Sequence, residues 1–163
     1  MADIQSGGTY TIRNVKSETA LDLSGGDNAS IIGFNFHGGG NQQWTFEQQG
    51  SGKWVVRSKA TGKYLDIDGE PGDGTRVIAS DNAREWDIWR DQNDQSTFRF
   101  FVPDTKQNID LSDHGNPEPG TPVTLWGTWE GTNQLWRIQP RKCSLLSTLR
   151  QKPYHDAKCE QIG

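Results

Sequence analysis

A single methionine, two cysteines and no long apolar run set the first limits on this chain of 163 residues. No segment approaches the roughly 20 apolar residues that a membrane-spanning helix needs, which excludes insertion by that route. Basic residues are in the minority: Lys and Arg number 17 against 21 Asp and Glu, for a net charge of -4. Duplex nucleic acid binds clustered cations that displace its counterions, and no such face exists here. Through residue 140 no window of a dozen residues carries an apolar stripe at helical spacing, so the sequence predicts strands. The opening Met1 to Gly8 has neither a charged leader nor an apolar stretch, and the expectation is a cytoplasmic protein. Asn28-Ala29-Ser30 fits the glycosylation pattern but is read as a chance match, because that route requires secretion.

The two cysteines, Cys143 and Cys159, both lie beyond residue 140. They are free thiols in a reducing compartment or close a small tail loop in an oxidising one, and neither state bears on the rest of the chain. Five basic and two acidic residues give the segment 141–163 a charge of +3, leaving -7 for residues 1–140 of the -4 total. The shift in composition marks a boundary near Pro140 and predicts a weakly ordered basic tail, with at most two helical turns over residues 144–151.

What the chain does contain is 19 glycines, seven prolines and seven tryptophans, a mixture suited to short strands and many turns. These residues recur. Tyr10, Trp54 and Phe98 are spaced 44 residues apart, and the same step separates Leu21-Asp22-Leu23, Leu65-Asp66-Ile67 and Ile109-Asp110-Leu111. Each unit closes on a tryptophan, in Gln42-Gln43-Trp44, Arg84-Glu85-Trp86 and Gln134-Leu135-Trp136. A period of this length marks repeats that cannot bury their apolar faces singly. The units run over about residues 9–52, 53–95 and 96–140, each with four short alternating segments, which predicts twelve strands. Closing them into a hairpin-capped barrel removes the free sheet edges and gives one domain over residues 1–140.

Three units of this length, each with an Asp after its second strand and a Gln-x-Trp at its end in two of three copies, resemble the ricin-B-type β-trefoil lectins, in particular the small single-domain lectins of mushrooms. The resemblance covers residues 9–140 and implies an all-β, pseudo-threefold trefoil with up to three shallow sugar sites and a largely structural Gln-x-Trp. It further implies non-catalytic recognition of terminal galactose or N-acetylgalactosamine, in a defence role.

A pyranose presents hydroxyls in fixed directions and one apolar patch of C–H groups, so its binder needs a carboxylate acceptor, an amide and a flat ring. Aligned backward from its tryptophan, the first unit offers Asp22, Asn41 with Gln42, and His37 as the ring, with Ser24, Gly25 and Gly38 permitting close backbone approach. The third offers Asp110, Asn133 with Gln134, and Trp129, which Trp126 extends. The second keeps Asp66 but has Ala79, Ala83 and Arg84 in place of ring and amides, so its site is expected to be inactive. Glycines after Asp22 (Gly25, Gly26) and before Asn41 (Gly38 to Gly40) place the first site ahead of the third, where Asp113 and His114 threaten to crowd the sugar.

Blander roles compete. Each Asp can pin a local turn, the glutamines can be scaffold that holds the Asp or a loop, and the closing tryptophans belong in the core. Catalysis has little support: His37-Gly38-Gly39-Gly40 imitates an oxyanion loop without the Gly-x-Ser-x-Gly elbow it serves, and Cys143 or Cys159 with His155 lies in a tail without a fold to orient them. The run from Asp66 to Glu70 starts like a calcium loop, but Val77 stands where the bidentate Glu belongs, and no cofactor or metal is expected. The competing function is a trefoil protease inhibitor acting through a surface loop, followed by a protein-interaction trefoil. Shallow sites imply multivalency, through two sites per chain or a homodimer.

Overall fold

The computed structural model describes residues 3–141, so the basic tail with Cys143, His155, Cys159 and the expected turns at 144–151 lies outside the described residues. Twelve strands are formed within that range. The first unit holds β1 (Thr9–Asn14), β2 (Ala20–Leu23), β3 (Ile31–Phe34) and β4 (Gln43–Gln48), and the second holds β5 (Trp54–Ser58), β6 (Tyr64–Ile67), β7 (Val77–Ser80) and β8 (Asp87–Arg90). The third holds β9 (Phe98–Phe101), β10 (Gln107–Leu111), β11 (Thr121–Gly127) and β12 (Trp136–Pro140).

The first and last strands of each unit close a six-strand ring. Strand β1 pairs with β4, β4 with β5, β8 with β9, β9 with β12, and β12 returns to β1. The remaining step, β5 to β8, rests on one bridge in which Trp54 and Trp86 exchange both backbone hydrogen bonds. The inner strands form three hairpins, β2–β3, β6–β7 and β10–β11, and these meet as a triangular cap through β3–β11 pairing and the bridges Ser30–Ile78 and Arg76–Thr124. With ring and cap both closed, little strand edge is left to template association. The architecture is the pseudo-threefold β-trefoil.

Alternation along the strands explains the closure. Strands β3 and β7 bury every second residue, and β4 does so over most of its length. Their inward side chains join one core that includes Trp44, Trp86 and Trp136, all essentially without solvent exposure. A buried indole needs a partner for its N–H. Each of the three donates to the same relative place: Trp44 Nε1 to the Leu21 carbonyl (3.1 Å), Trp86 Nε1 to Leu65 (2.9 Å) and Trp136 Nε1 to Ile109 (3.2 Å). Those carbonyls belong to the residues immediately before Asp22, Asp66 and Asp110. The closing tryptophan thereby ties the end of each unit to the strand that carries its aspartate.

Candidate functional site

In the first and third units one amide organises the site. Gln42 Nε2 donates to Asp22 Oδ2 (2.8 Å) and to the Asn35 carbonyl (2.9 Å), while its Oε1 accepts from the backbone N–H groups of His37 (2.9 Å) and Gly38 (3.1 Å). Gln134 repeats the plan: Nε2 donates to Asp110 Oδ2 (2.9 Å) and the Gly127 carbonyl (3.0 Å), and Oε1 accepts from the Trp129 N–H (3.1 Å). His37 and Trp129 therefore occupy equivalent positions, as the backward alignment from the tryptophans predicts. Asn41 and Asn133 each donate to the carbonyl of the residue following the Asp, Leu23 (3.2 Å) and Leu111 (3.1 Å).

Both carboxylates lie in nearly dry surroundings. Burial pushes Asp22 and Asp110 above the ordinary carboxylate value, against the opposing pull of Gln42 on one and of Gln134 and Asn133 on the other. A hydrogen bond made to such a group is stronger than the same bond in water. In the first site His37 Nδ1 accepts from the Gly39 N–H (2.9 Å), which assigns the ring proton to Nε2, 3.9 Å from Asp22 Oδ2. The half-exposed imidazole thus presents a donor edge beside the carboxylate.

The third site is a formed concavity of about 550 Å³, lined by Asp110, Asn133, Thr124, His114 and the half-exposed indoles of Trp126 and Trp129. Asp113, His114 and Gly115 run consecutively through the left-handed region (φ 55, 54 and 82), a conformation that L side chains adopt at a cost. That turn brings the His114 ring edge-on to Trp129, with centroids 6.1 Å apart. The Asp113–His114 loop lines the pocket instead of filling it. Across the opening, Gly131 is required by the indole: a Cβ there would sit 2.0 Å from Trp129 Cζ2.

In the second unit the equivalent space is taken. Arg84 Nε donates to Asp66 Oδ1 (2.5 Å), which also accepts from the Ile67 N–H (2.8 Å), while Oδ2 accepts from Ser80 Oγ (2.7 Å) and Asn82 Nδ2 (3.3 Å). Burial alone would raise the Asp66 pKa, but these four donors outweigh it and hold the carboxyl below its usual value. A carboxylate so occupied has little left to offer a ligand.

Among the residues singled out from sequence, Asp22, His37, Gly38 and Asn41 converge in one place, and Asp110, Trp126, Trp129 and Asn133 in another. Ser24 and Gly25 follow β2 in a turn where the Gly26 N–H donates to Ser24 Oγ and nothing crowds Gly25. Of the two roles open to Gln42 and Gln134 from sequence, sugar contact or scaffold, the geometry favours scaffold: both are fully buried with every amide hydrogen and oxygen engaged internally, and they position the carboxylate and the ring. Sequence reasoning missed Arg99. Its nearly buried guanidinium donates to Asp91 (2.8 Å), Asn108 (3.0 Å), Gln134 Oε1 (2.9 Å) and the Trp129 carbonyl (2.9 Å). It supplies to Gln134 the second donor that the Gly38 N–H supplies to Gln42. An arginine in the otherwise aromatic strand Phe98–Phe101 was the available signal.

Comparison with known proteins follows the same lines. The family described as "Ricin-type beta-trefoil lectin domain-like" matches residues 3–80 and 41–126. No curated protein sequence matches the chain. Among solved structures, the Macrolepiota procera ricin B-like lectin in complex with lactose is 52% identical, with 85% of this chain and 99% of that one covered and a TM-score of 0.83. The Rhizoctonia solani agglutinin is 26% identical over 86% of this chain and 99% of that one, with a TM-score of 0.76. The Polyporus squamosus lectin bound to Neu5Aca2-6Galb1-4GlcNAc is 25% identical over 85% of this chain and 50% of that one, with a TM-score of 0.70. The matched residues and the three-unit fold agree: the chain belongs to the ricin-type β-trefoil lectin family.

Proposed function

We propose that the protein is a non-catalytic lectin that takes a terminal galactose or N-acetylgalactosamine at its third-unit and first-unit sites. The observation that carries this reading is the third-unit pocket, where the buried Asp110 carboxylate faces half-exposed indole surface from Trp126 and Trp129. The axial 4-hydroxyl of galactose leaves the opposite ring face as an uninterrupted C–H patch that stacks on an indole, while its hydroxyls donate to the carboxylate. The 52% identical relative described in complex with lactose supports the same ligand class. Two such sites on one chain would convert weak single-sugar contacts into useful avidity on a glycan-bearing surface.

Calorimetry with methyl β-galactoside, N-acetylgalactosamine, methyl glucoside and methyl mannoside tests this. Heat should appear with the first two sugars only and fit two sites per chain. Binding of glucoside or mannoside in preference, or of none of the four, overturns the reading.

A further inference from the structure

On the far side of the Trp129 loop lies a second concavity, about 810 Å³ in volume. Its wall is Trp89, on β8 and 57% exposed, whose indole is braced by the Phe101 ring at 5.5 Å. Around it stand Asp94, Glu130 and Thr132, with Arg99 among the lining residues. The fold has no use for so large a ring left in water, since core and barrel are complete without it. Trp89 is also outside the aspartate site of its own unit, where Arg84 has closed the space beside Asp66.

The chemistry of the lining selects one class of occupant. Nε, both Nη1 hydrogens and one Nη2 hydrogen of Arg99 are committed to Asp91, Asn108, Gln134 and the Trp129 carbonyl, which leaves one Nη2 hydrogen on a guanidinium that lines the cavity. An anion accepting from it would face Asp94 and Glu130, Asp91 being already paired with Arg99. A cation would face Arg99 itself. A hydroxyl meets both needs, because it accepts from the guanidinium and donates to a carboxylate. A braced indole with donors and acceptors around it is suited to a neutral pyranose. The cavity also shares Thr128 and Trp129 with the Asp110 pocket, so one loop borders both.

We infer that this Trp89 cavity is a saccharide subsite that holds further residues of the glycan whose terminal sugar sits at Asp110. The inference rests on the galactoside reading of the Asp110 site. Arg99 joins the two physically, since one guanidinium lines the subsite and fixes both Gln134 and the Trp129 backbone.

The test compares lactose with lacto-N-neotetraose, a tetrasaccharide whose outer residue is likewise a β1,4-linked galactose, on the wild-type chain and on Trp89→Ala. In the wild type the tetrasaccharide should bind about fivefold more tightly, the worth of one good stacking contact. Trp89→Ala should erase that advantage and leave lactose affinity unchanged. In 5-fluorotryptophan-labelled protein the Trp89 resonance, assigned through Trp89→Phe, should shift with the tetrasaccharide and stay still with lactose. An equal preference in both proteins, a motionless Trp89 resonance, or a fall in lactose affinity on Trp89→Ala overturns the subsite. If the wild type fails to bind lactose, the galactoside reading fails and the subsite falls with it, a result readily told from loss of the chain-length preference alone.

Discussion

The second and third units share a strand plan, a buried tryptophan and an aspartate at the same step, yet Asp66 and Asp110 have opposite surroundings. Asp66 is saturated by Arg84, Ser80, Asn82 and a backbone N–H, and its carboxyl is held below the ordinary value. Asp110 receives a neutral amide from Gln134, stays largely desolvated, and is pushed above it. Arginine in the glutamine's place, joined by Ser80 and Asn82, thus neutralises a carboxylate that the third unit presents, and Ala79 and Ala83 leave the second unit without ring or amide beside it. The lesson is that the aspartate alone does not mark a working site. What holds its second oxygen decides whether the charge is available outward or spent inward.

The largest expected effect tests what the units have in common. Since Trp86 and Trp136 are equally buried and make the same indole-to-carbonyl bond, Trp86→Ala and Trp136→Ala should each destabilise the fold by about 3–5 kcal/mol. Urea unfolding measures both. A marked difference between them would break the equivalence of the units at the level of the core.

Next in size is the removal of the carboxylate from a proposed sugar site. Hydrogen bonds to a charged group contribute about 1.5–3 kcal/mol, so Asp110→Ala and Asp22→Ala should each weaken galactoside binding at their own sites by roughly tenfold or more. Calorimetric stoichiometry should fall from two to one in each variant and to none when they are combined, with the melting temperature little changed. Asp66→Asn should leave sugar binding within error. Galactoside density beside Asp66 in a soaked crystal would falsify the contrast drawn above.

A smaller effect separates the two proposed sites from each other. Trp129→Ala removes an indole worth on the order of 1 kcal/mol in stacking, so in an Asp22→Ala background it should take away the residual binding. His37→Ala in an Asp110→Ala background should cost less, because the imidazole offers a smaller face. Tryptophan fluorescence in the Asp22→Ala protein reports occupancy through Trp126 and Trp129. A flat titration at saturating sugar would mean that the third-unit pocket, for all its volume, is not used.

Much of this was legible in the sequence because it is periodic. The 44-residue step and the closing tryptophans predicted four strands in each of three units, as found, and the aspartates, His37 and Trp129 fell into the register that the hydrogen bonds of Gln42 and Gln134 display. The exceptions have non-periodic causes. Arg99 acts from a different unit position than anything in the first site, so no repeat alignment reveals it. The room in the third site depends on a left-handed turn through Asp113 and His114, a conformation that no local sequence rule demands of those residues. Glycine richness favoured the first site, whereas the concavity in the third is built from paired indoles and the space Gly131 leaves them.

The finest contrast is that of a proton. The Asp66 carboxyl is held below its ordinary value, so it contributes stability that is present above the unfolded value of about 3.9 and is lost as pH falls through its lower folded value. Asp22 and Asp110 run the other way. Their folded values are raised, so ionising them costs folding free energy near neutrality, and that cost fades as they take up protons at a pH above about 3.9. Protonation also removes the acceptor that a sugar hydroxyl requires. On acidification, galactoside binding should therefore weaken first, while the fold is intact, and the stability owed to Asp66 should decline only at lower pH. Calorimetry and thermal melts across one pH series show the order directly, and Arg84→Gln should remove most of the Asp66 contribution without moving the binding curve. Binding that survives until the protein unfolds would mean that the ligand does not depend on the ionised carboxylates, and the distinction between presented and spent aspartates would lose its functional meaning.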